Sequence, residues 1–321
     1  MLVLLLAQTQ MLTNLLLLLV AIIAIIFLLK KSGGKSKSKY QSKPKSTWSS
    51  LSEGVDPTSN VLMQIVEGAI ADAKSREREI SDSELSKSSQ TRDVISALSK
   101  SKNQTAIRDS RVRLIAEVKR SSPSKGDLAK ISDPVKLAKT YETAGANLIS
   151  VLTEQRRFKG EISDLVAVRA AVEIPVLRKD FIATEFQVKE TKLIGADLML
   201  LIVAALEEPK LRNLYSLAKE IGLEVLVEVH NNSELETAMK LNPKIIGVNA
   251  RNLKTLEVDE SNFAELLPKI PDNVIKVAES GIYSREQVKR LEQLGTDAIL
   301  VGESLVKAED PAKKIFELLQ D

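Results

Sequence analysis

The chain has 321 residues, 44% apolar and 28% charged, an ordinary globular balance that excludes wholesale disorder and collagen-like repeats. With no cysteine and one histidine, it excludes disulfides, thiolate nucleophiles, Cys-ligated metals and multi-histidine metal sites, so acid–base chemistry falls mainly to Lys, Glu and Asp. The formal charge of +3 hides a segregation: residues 1–29 carry no charge, Lys30, Lys31, Lys35, Lys37, Lys39, Lys43 and Lys45 follow without an acid, and the remainder is net acidic, which argues against nucleic acid as a partner.

Residues 11–29 hold only Thr13 and Asn14 as polar positions, and 2–7 are apolar before them, so one membrane-spanning helix is predicted within residues 1–31. The lysines that follow favour the cytoplasmic side by the positive-inside rule. The expectation is a single N-terminal anchor touching membrane lipid, with the rest of the chain in the cytoplasm. A cleaved or organelle-targeting segment is the alternative, but it calls for a basic leader, a shorter apolar core and a small-x-small cleavage site, none of which stands out. Residues 32–59, rich in Ser, Lys and Gly, read as a flexible linker, and residues 60–321 as one folded domain.

Val61, Leu62, Ile65, Val66, Ala69, Ile70 and Ala73 repeat at helical spacing, so an amphipathic helix opens this domain. A polar stretch to about Arg113 holds a second short helix near residues 93–98. Eight β-branched apolar runs follow, at 114–118, 148–152, 176–177, 198–202, 224–227, 245–248, 275–278 and 298–301. Their starts lie 21 to 34 residues apart, room for a strand, a helix and two loops each time. Gly145-Ala146-Asn147, Gly195-Ala196-Asp197 and Gly295-Thr296-Asp297 supply glycines that end the preceding helices. Eight such units predict an α/β protein with a closed (β/α)8 TIM barrel and an N-terminal helical extension. An open doubly wound sheet is the alternative, but no Gly-x-Gly-x-x-Gly turn follows the first run.

In a barrel of this kind the reacting groups stand at the carboxyl ends of the strands. Those ends read Glu117-Val118-Lys119, Lys179-Asp180, Glu228, Asn249, Glu279-Ser280 and Gly302-Glu303. Period-two alternation puts Glu117 and Lys119 on one side of their strand. A purely structural rim has no need of so many Lys and Glu. Gly281 and Gly302 follow runs seven and eight, where barrels often hold phosphate on backbone N–H groups, and Ser122, Lys119 and Ser280 add polar donors.

The block Ile115-Ala116-Glu117-Val118-Lys119-Arg120-Ser121-Ser122-Pro123-Ser124-Lys125-Gly126 resembles the first-strand signature of indole-3-glycerol phosphate synthases. Five further blocks agree in order and spacing: 150–154 with 158–160, 177–182, 226–230, 247–253 and 277–282. The resemblance runs from about Val61 to the carboxyl end. It implies conversion of 1-(o-carboxyphenylamino)-1-deoxyribulose 5-phosphate to indole-3-glycerol phosphate, with release of carbon dioxide and water and without metal or organic cofactor. It implies Lys179 as the general acid for ring closure, Glu228 as the base, and Lys119 as a second cation near the substrate carboxylate that also suits departure of the hydroxyl. Glu117, Asn249 and Glu279 match the residues that orient these groups. Ser122, Arg251, Ser280, Gly281, Gly302 and Glu303 match substrate- and phosphate-binding positions, Glu303 through its backbone N–H. Phe158 and Phe181 match apolar groups beside the anthranilate ring. The resemblance also names other enzymes of tryptophan biosynthesis as candidate partners. His230 reads as a loop residue, because no step of that reaction needs an imidazole. Phosphoribosylanthranilate isomerase and the tryptophan synthase α subunit share the barrel and the phosphate, but the isomerase relies on a cysteine base, and neither carries the Glu-x-Lys-x-x-Ser-Pro block.

Overall fold

The computed structural model describes residues 61–85, 90–99, 112–253 and 255–320; the expected membrane segment 1–31 and linker 32–59 lie outside them. Among the described residues no helix is long and apolar enough to cross a membrane. The helix expected from Val61 is α1 (Val61–Glu77), and its apolar stripe of Leu62, Ile65, Val66, Ala69 and Ala73 is buried. A one-turn α2 (Asp82–Leu85) and α3 (Val94–Leu98) follow, α3 capped by the Asp93 side chain accepting the Ser96 N–H.

Eight strands then close into a cylinder: β1 (Arg113–Val118), β2 (Leu148–Leu152), β3 (Val176–Lys179), β4 (Leu198–Ile202), β5 (Glu224–Val229), β6 (Ile245–Asn249), β7 (Ile275–Glu279) and β8 (Ala298–Val301). Each is parallel to its neighbours, and β1 pairs with both β2 and β8, which completes the ring. The intervening helices are α4 (Pro134–Thr143), α5 (Ile162–Ala171), α6 (Glu185–Leu193), α7 (Glu208–Glu220), α8 (Asn232–Met239), α9 (Ser261–Leu266) and α10 (Arg285–Gln293), with α11 (Glu303–Val306) and α12 (Pro311–Leu319) closing the chain. The closed ring settles the fold against the open sheet.

The strands outrun their apolar runs in a consistent way. β3, β5, β6 and β7 continue one or two residues beyond the runs read from the sequence, to Lys179, Val229, Asn249 and Glu279. Side chains alternate along a strand, so the residue two places before each polar group faces the same way. Beneath Glu117, Lys179, Glu228 and Glu279 lie Ile115, Leu177, Leu226 and Val277, all members of one buried core cluster. An apolar layer fills the barrel and a charged layer sits directly on it.

The N-terminal helices stop the two ends. Val94 and Leu98 of α3 join the core at the amino end, where the Arg92 N–H bonds Asp197, whose other oxygen accepts from Val176 at the start of β3. At the carboxyl end α1 packs with Phe181, Leu200 and Ile202. Three of its side chains are tied to neighbouring elements: Arg76 to Glu190 of α6, and Asp72 and Gln64 to Arg156 and Arg157 of the loop after β2. The Asp72–Arg156 pair is half exposed and worth about 0–1 kcal/mol, whereas burying Leu62, Ile65 and Val66 contributes about 1.5–3 kcal/mol each, so apolar burial holds the helix and the polar ties set its orientation.

Candidate active site

One cavity opens at the carboxyl ends of the strands, lined by Glu117, Lys119, Phe158, Lys179, Phe181, Glu228, Asn249, Arg251, Glu279, Ser280, Gly281, Gly302 and Glu303. Ser122 alone among the predicted residues is not part of that lining. It lies in a two-stranded ribbon, Ser121–Ser122 against Gly126–Asp127, beyond the end of β1, with its Oγ buried and unpartnered. The ribbon is joined to the rim by Arg251, which donates to Ser124 Oγ at 3.1 Å and to the Leu256 carbonyl at 2.9 Å.

Lys179 Nζ is the hub. It donates to Glu228 Oε2 at 3.0 Å and stands 3.4 Å from Glu279 Oε2, both carboxylates almost wholly buried. Burial works against the ammonium charge, but Glu228, Glu279 and Glu117 together outweigh it and hold Lys179 above the ordinary lysine range. The two carboxyls divide. Burial favours the neutral form of both, yet Lys179 and His230 outweigh it at Glu228 and hold that group below the usual carboxylate range. At Glu279 burial prevails over Lys179, with the nearby Glu228 and Glu117 charges adding to it, and the group takes a proton more readily than an ordinary carboxyl. Two carboxyls whose environments push them apart are suited to opposite proton-transfer roles. Neither Glu279 oxygen has a hydrogen-bond partner, which fits a group that exchanges a proton with whatever occupies the cavity.

Lys119 Nζ forms a second pair with Glu117 Oε2 at 2.5 Å on the β1 side of the mouth, as the alternation along β1 allows. Gly302 and Gly247 make room for the carboxylates: a Cβ at 302 would overlap Glu117, and one at 247 would overlap Glu279. The Phe158 and Phe181 rings lie 5.8 Å apart at 36°, an apolar wall on the side where α1 packs.

After β7, Ser280 (φ 71°) and Gly281 (φ 74°) are both left-handed, an uncommon conformation for serine. It turns the chain sharply at the rim, and Val258 packs where a Gly281 side chain would stand. Gly302 caps α11, so two loops with backbone N–H groups face the rim near Arg251. Burial opposes charge on Glu303, but Lys307, 2.7 Å away, with Lys125 and Arg251 further off, holds its carboxyl below the usual range. Its side chain is thus paired with Lys307 and also accepts from the Tyr283 hydroxyl at 3.4 Å.

Several lining residues carry no sequence signal of their own. Leu152, Leu200, Ile202 and Leu300 are indistinguishable from core, and Tyr283 reads as an exposed loop aromatic. Asp180 was visible only as a charge at a strand end; it accepts from Thr153 at 2.6 Å, Arg178 at 3.0 Å and the Phe181 N–H at 2.8 Å, which fixes the turn after Lys179. His230 does lie in the loop after β5, yet its Nε2 is 3.3 Å from Glu228 Oε1, a contact spacing alone did not reveal. Among the described residues no cluster of three or more His, Cys, Asp or Glu is arranged to hold a metal ion.

The arrangement offers two ammonium groups, one held carboxylate, one protonatable carboxyl, an apolar wall and a rim of two glycine-bearing loops beside Arg251. Residues 62–318 match the family model described as indole-3-glycerol phosphate synthase. Indole-3-glycerol phosphate synthase 1 of Streptomyces coelicolor is 50% identical over 264 residues, covering 81% of this chain and 95% of that protein. The indole-3-glycerol phosphate synthase of Mycobacterium sp. (strain KMS) is 47% identical over 266 residues, covering 82% and 94%. Among solved structures, 3-hexulose-6-phosphate synthase from Salmonella typhimurium superposes with a TM-score of 0.53 at 16% identity, covering 64% of this chain and 96% of that one, a likeness of fold alone.

Proposed function

The chain belongs to the indole-3-glycerol phosphate synthase family, and from that membership we propose how its own residues divide the reaction. It is a carboxy-lyase that converts 1-(o-carboxyphenylamino)-1-deoxyribulose 5-phosphate to indole-3-glycerol phosphate, carbon dioxide and water. The ring carbon bearing the carboxylate attacks the ketone, and the carbonyl electron pair moves to oxygen. Lys179 protonates that oxygen: its ammonium is firmly charged, but the alkoxide forming beside it is more basic still. Loss of the carboxylate as carbon dioxide returns the bonding pair to the ring. The new hydroxyl then leaves as water with a proton from Lys119, while Glu228, kept ionised, removes a proton as the indole double bond forms.

Glu117 holds Lys119 charged and aimed; Asn249 Oδ1 accepts the Arg251 N–H at 2.9 Å and so fixes the strand end beside the phosphate loops. Ser280, Gly281, Gly302 and the Glu303 backbone receive the phosphate, with Arg251 as the cation and the Ser122 ribbon folding toward it. Phe158 and Phe181 receive the anthranilate ring. The single observation that carries the assignment is the Lys179–Glu228–Glu279 cluster directly above the apolar layer of the barrel. Supplying the substrate and following indole fluorescence tests it. The parent chain turns over, and Lys179→Ala lowers kcat by about 10²–10⁴-fold with the fold intact by circular dichroism; near-parental turnover removes Lys179 from the role.

The same proposal extends to residues 1–59: a membrane-spanning helix within 1–31 and a lysine-rich linker that keeps the barrel on the cytoplasmic side. The uncharged run and the lysines after it support this reading.

A further inference from the structure

Glu228 is held from two sides, and the mechanism above uses only one of them. Lys179 takes Oε2 at 3.0 Å from within the cavity. On the other side, outside the cavity lining, His230 Nε2 stands 3.3 Å from Oε1. The imidazole is itself fixed from behind: its Nδ1 lies 2.9 Å from Glu234 Oε2, and its backbone N–H donates to the same oxygen at 2.9 Å. The other oxygen of Glu234 accepts from Asn231 Nδ2 at 2.6 Å, while Asn231 caps α8 by accepting the Glu234 N–H. Glu234 is therefore immobile at the start of a helix, and the imidazole, 9% exposed, is clamped between two carboxylates.

The Nδ1–Glu234 contact is a hydrogen bond and the Nε2–Glu228 contact a close ion-pair approach without one, and only a doubly protonated ring carries the charge that pairs with both carboxylates. The charged groups facing it are Glu228 from β5 and Glu234 from α8; the turn Val203–Ala205, which packs against both elements, brings only apolar side chains. Burial of the ring works against its charge, yet the two carboxylates raise it to about 9.

Resting on the assignment of Glu228 as the base, we infer that His230 is a positioning residue for it: an imidazolium clamped by Glu234 that holds Oε1 while Lys179 holds Oε2. Two cations on two oxygens fix the plane of the carboxylate and keep it ionised even when substrate draws Lys179 away. A neutral partner of similar reach gives up the second effect while keeping part of the first.

The experiment is the pH profile of kcat/KM for the full-length parent, His230→Gln and Glu228→Gln, together with the imidazole nitrogen signals, which come from one residue because His230 is the only histidine of the chain. An opposite charge within hydrogen-bonding range lowers a carboxyl by about one unit or more, so His230→Gln moves the acid limb of kcat/KM up by about one pH unit. In the parent the ring remains doubly protonated at pH 7.5, and in Glu228→Gln its titration midpoint falls, as reciprocal coupling requires. An acid limb that superimposes on the parent's, with turnover lost in Glu228→Gln, overturns the inference alone. A neutral ring at pH 7.5 in the parent overturns it as well. Turnover retained in Glu228→Gln overturns the reading of Glu228 as the base, on which the inference stands.

Discussion

At the scale of single residues, the site is built as much from missing side chains as from charged ones. Gly302 has no Cβ because the Glu117 carboxylate fills that space, and the displaced carboxylate is the one that holds Lys119. Gly302→Ala is therefore expected to lower kcat/KM by at least about tenfold, a loss of about 1.4 kcal/mol in transition-state stabilisation, with a smaller change in Tm; steady-state kinetics beside thermal unfolding checks both. Histidine 230 adds a pH dependence of stability. Its folded-state pKa is raised to about 9, so the stability its two carboxylate pairs contribute is fully present below the free imidazole value of about 6.5 and fades as pH rises through about 9. Calorimetry across pH 6 to 10 should show Tm falling over that window, and His230→Gln should flatten this component of the fall. The polar strand ends were legible in the sequence because charges at those places have few structural reasons to cluster. The tie between His230 and Glu228 was not, because residues two apart on a strand share a face, but a contact depends on how the following turn bends, and here Glu234 bends it.

At the scale of elements, one loop is built twice. The β3 end, its loop and α6 repeat at an offset of 100 positions in the β7 end, its loop and α10. Thr184 and Gln187 form a capping box that also holds the Phe181 carbonyl; Ser284 and Gln287 form the same box and hold the Gly281 carbonyl. Asp197 and Asp297 accept from Val176 and Lys276 at the matching strand starts. One frame thus presents Lys179 and a phenylalanine on one side, and Glu279 and a glycine on the other. The β3 copy is reinforced by fully buried Arg178, which bonds Thr153, Thr191, Asp180 and Glu190, and Glu190 carries the bond on to Arg76 of α1. Removing one partner of a buried charge cluster leaves the others uncompensated, so Arg178→Met should cost about 3–5 kcal/mol in urea unfolding, where Asp72→Asn on the exposed side of α1 costs about 0–1 kcal/mol. The eight strands were readable because parallel strands buried on both faces are continuous apolar runs. Where each strand stops was not, since an inward position that changes from Leu177 to Lys179 looks like the start of a loop when it is the top layer of the barrel.

At the scale of the whole molecule, every predicted catalytic residue comes from the part of the chain that matches the family, and the described barrel is closed without residues 1–59. Deleting 1–59 is expected to leave kcat/KM within about twofold of the parent, while the intact chain sediments with membranes and the shortened one does not; a folded but inactive product would give the segment a part in catalysis. The ring has one more consequence. Ala116 is hydrogen-bonded in register with Val301, so the wall that carries Glu117 is completed by a strand made about 185 residues later. At about 5–20 residues per second, a ribosome exposes β1 for roughly 10–40 s before its neighbour emerges. During that interval the nascent polypeptide displays an unpaired, apolar strand edge, the kind of surface that chaperones shelter during synthesis.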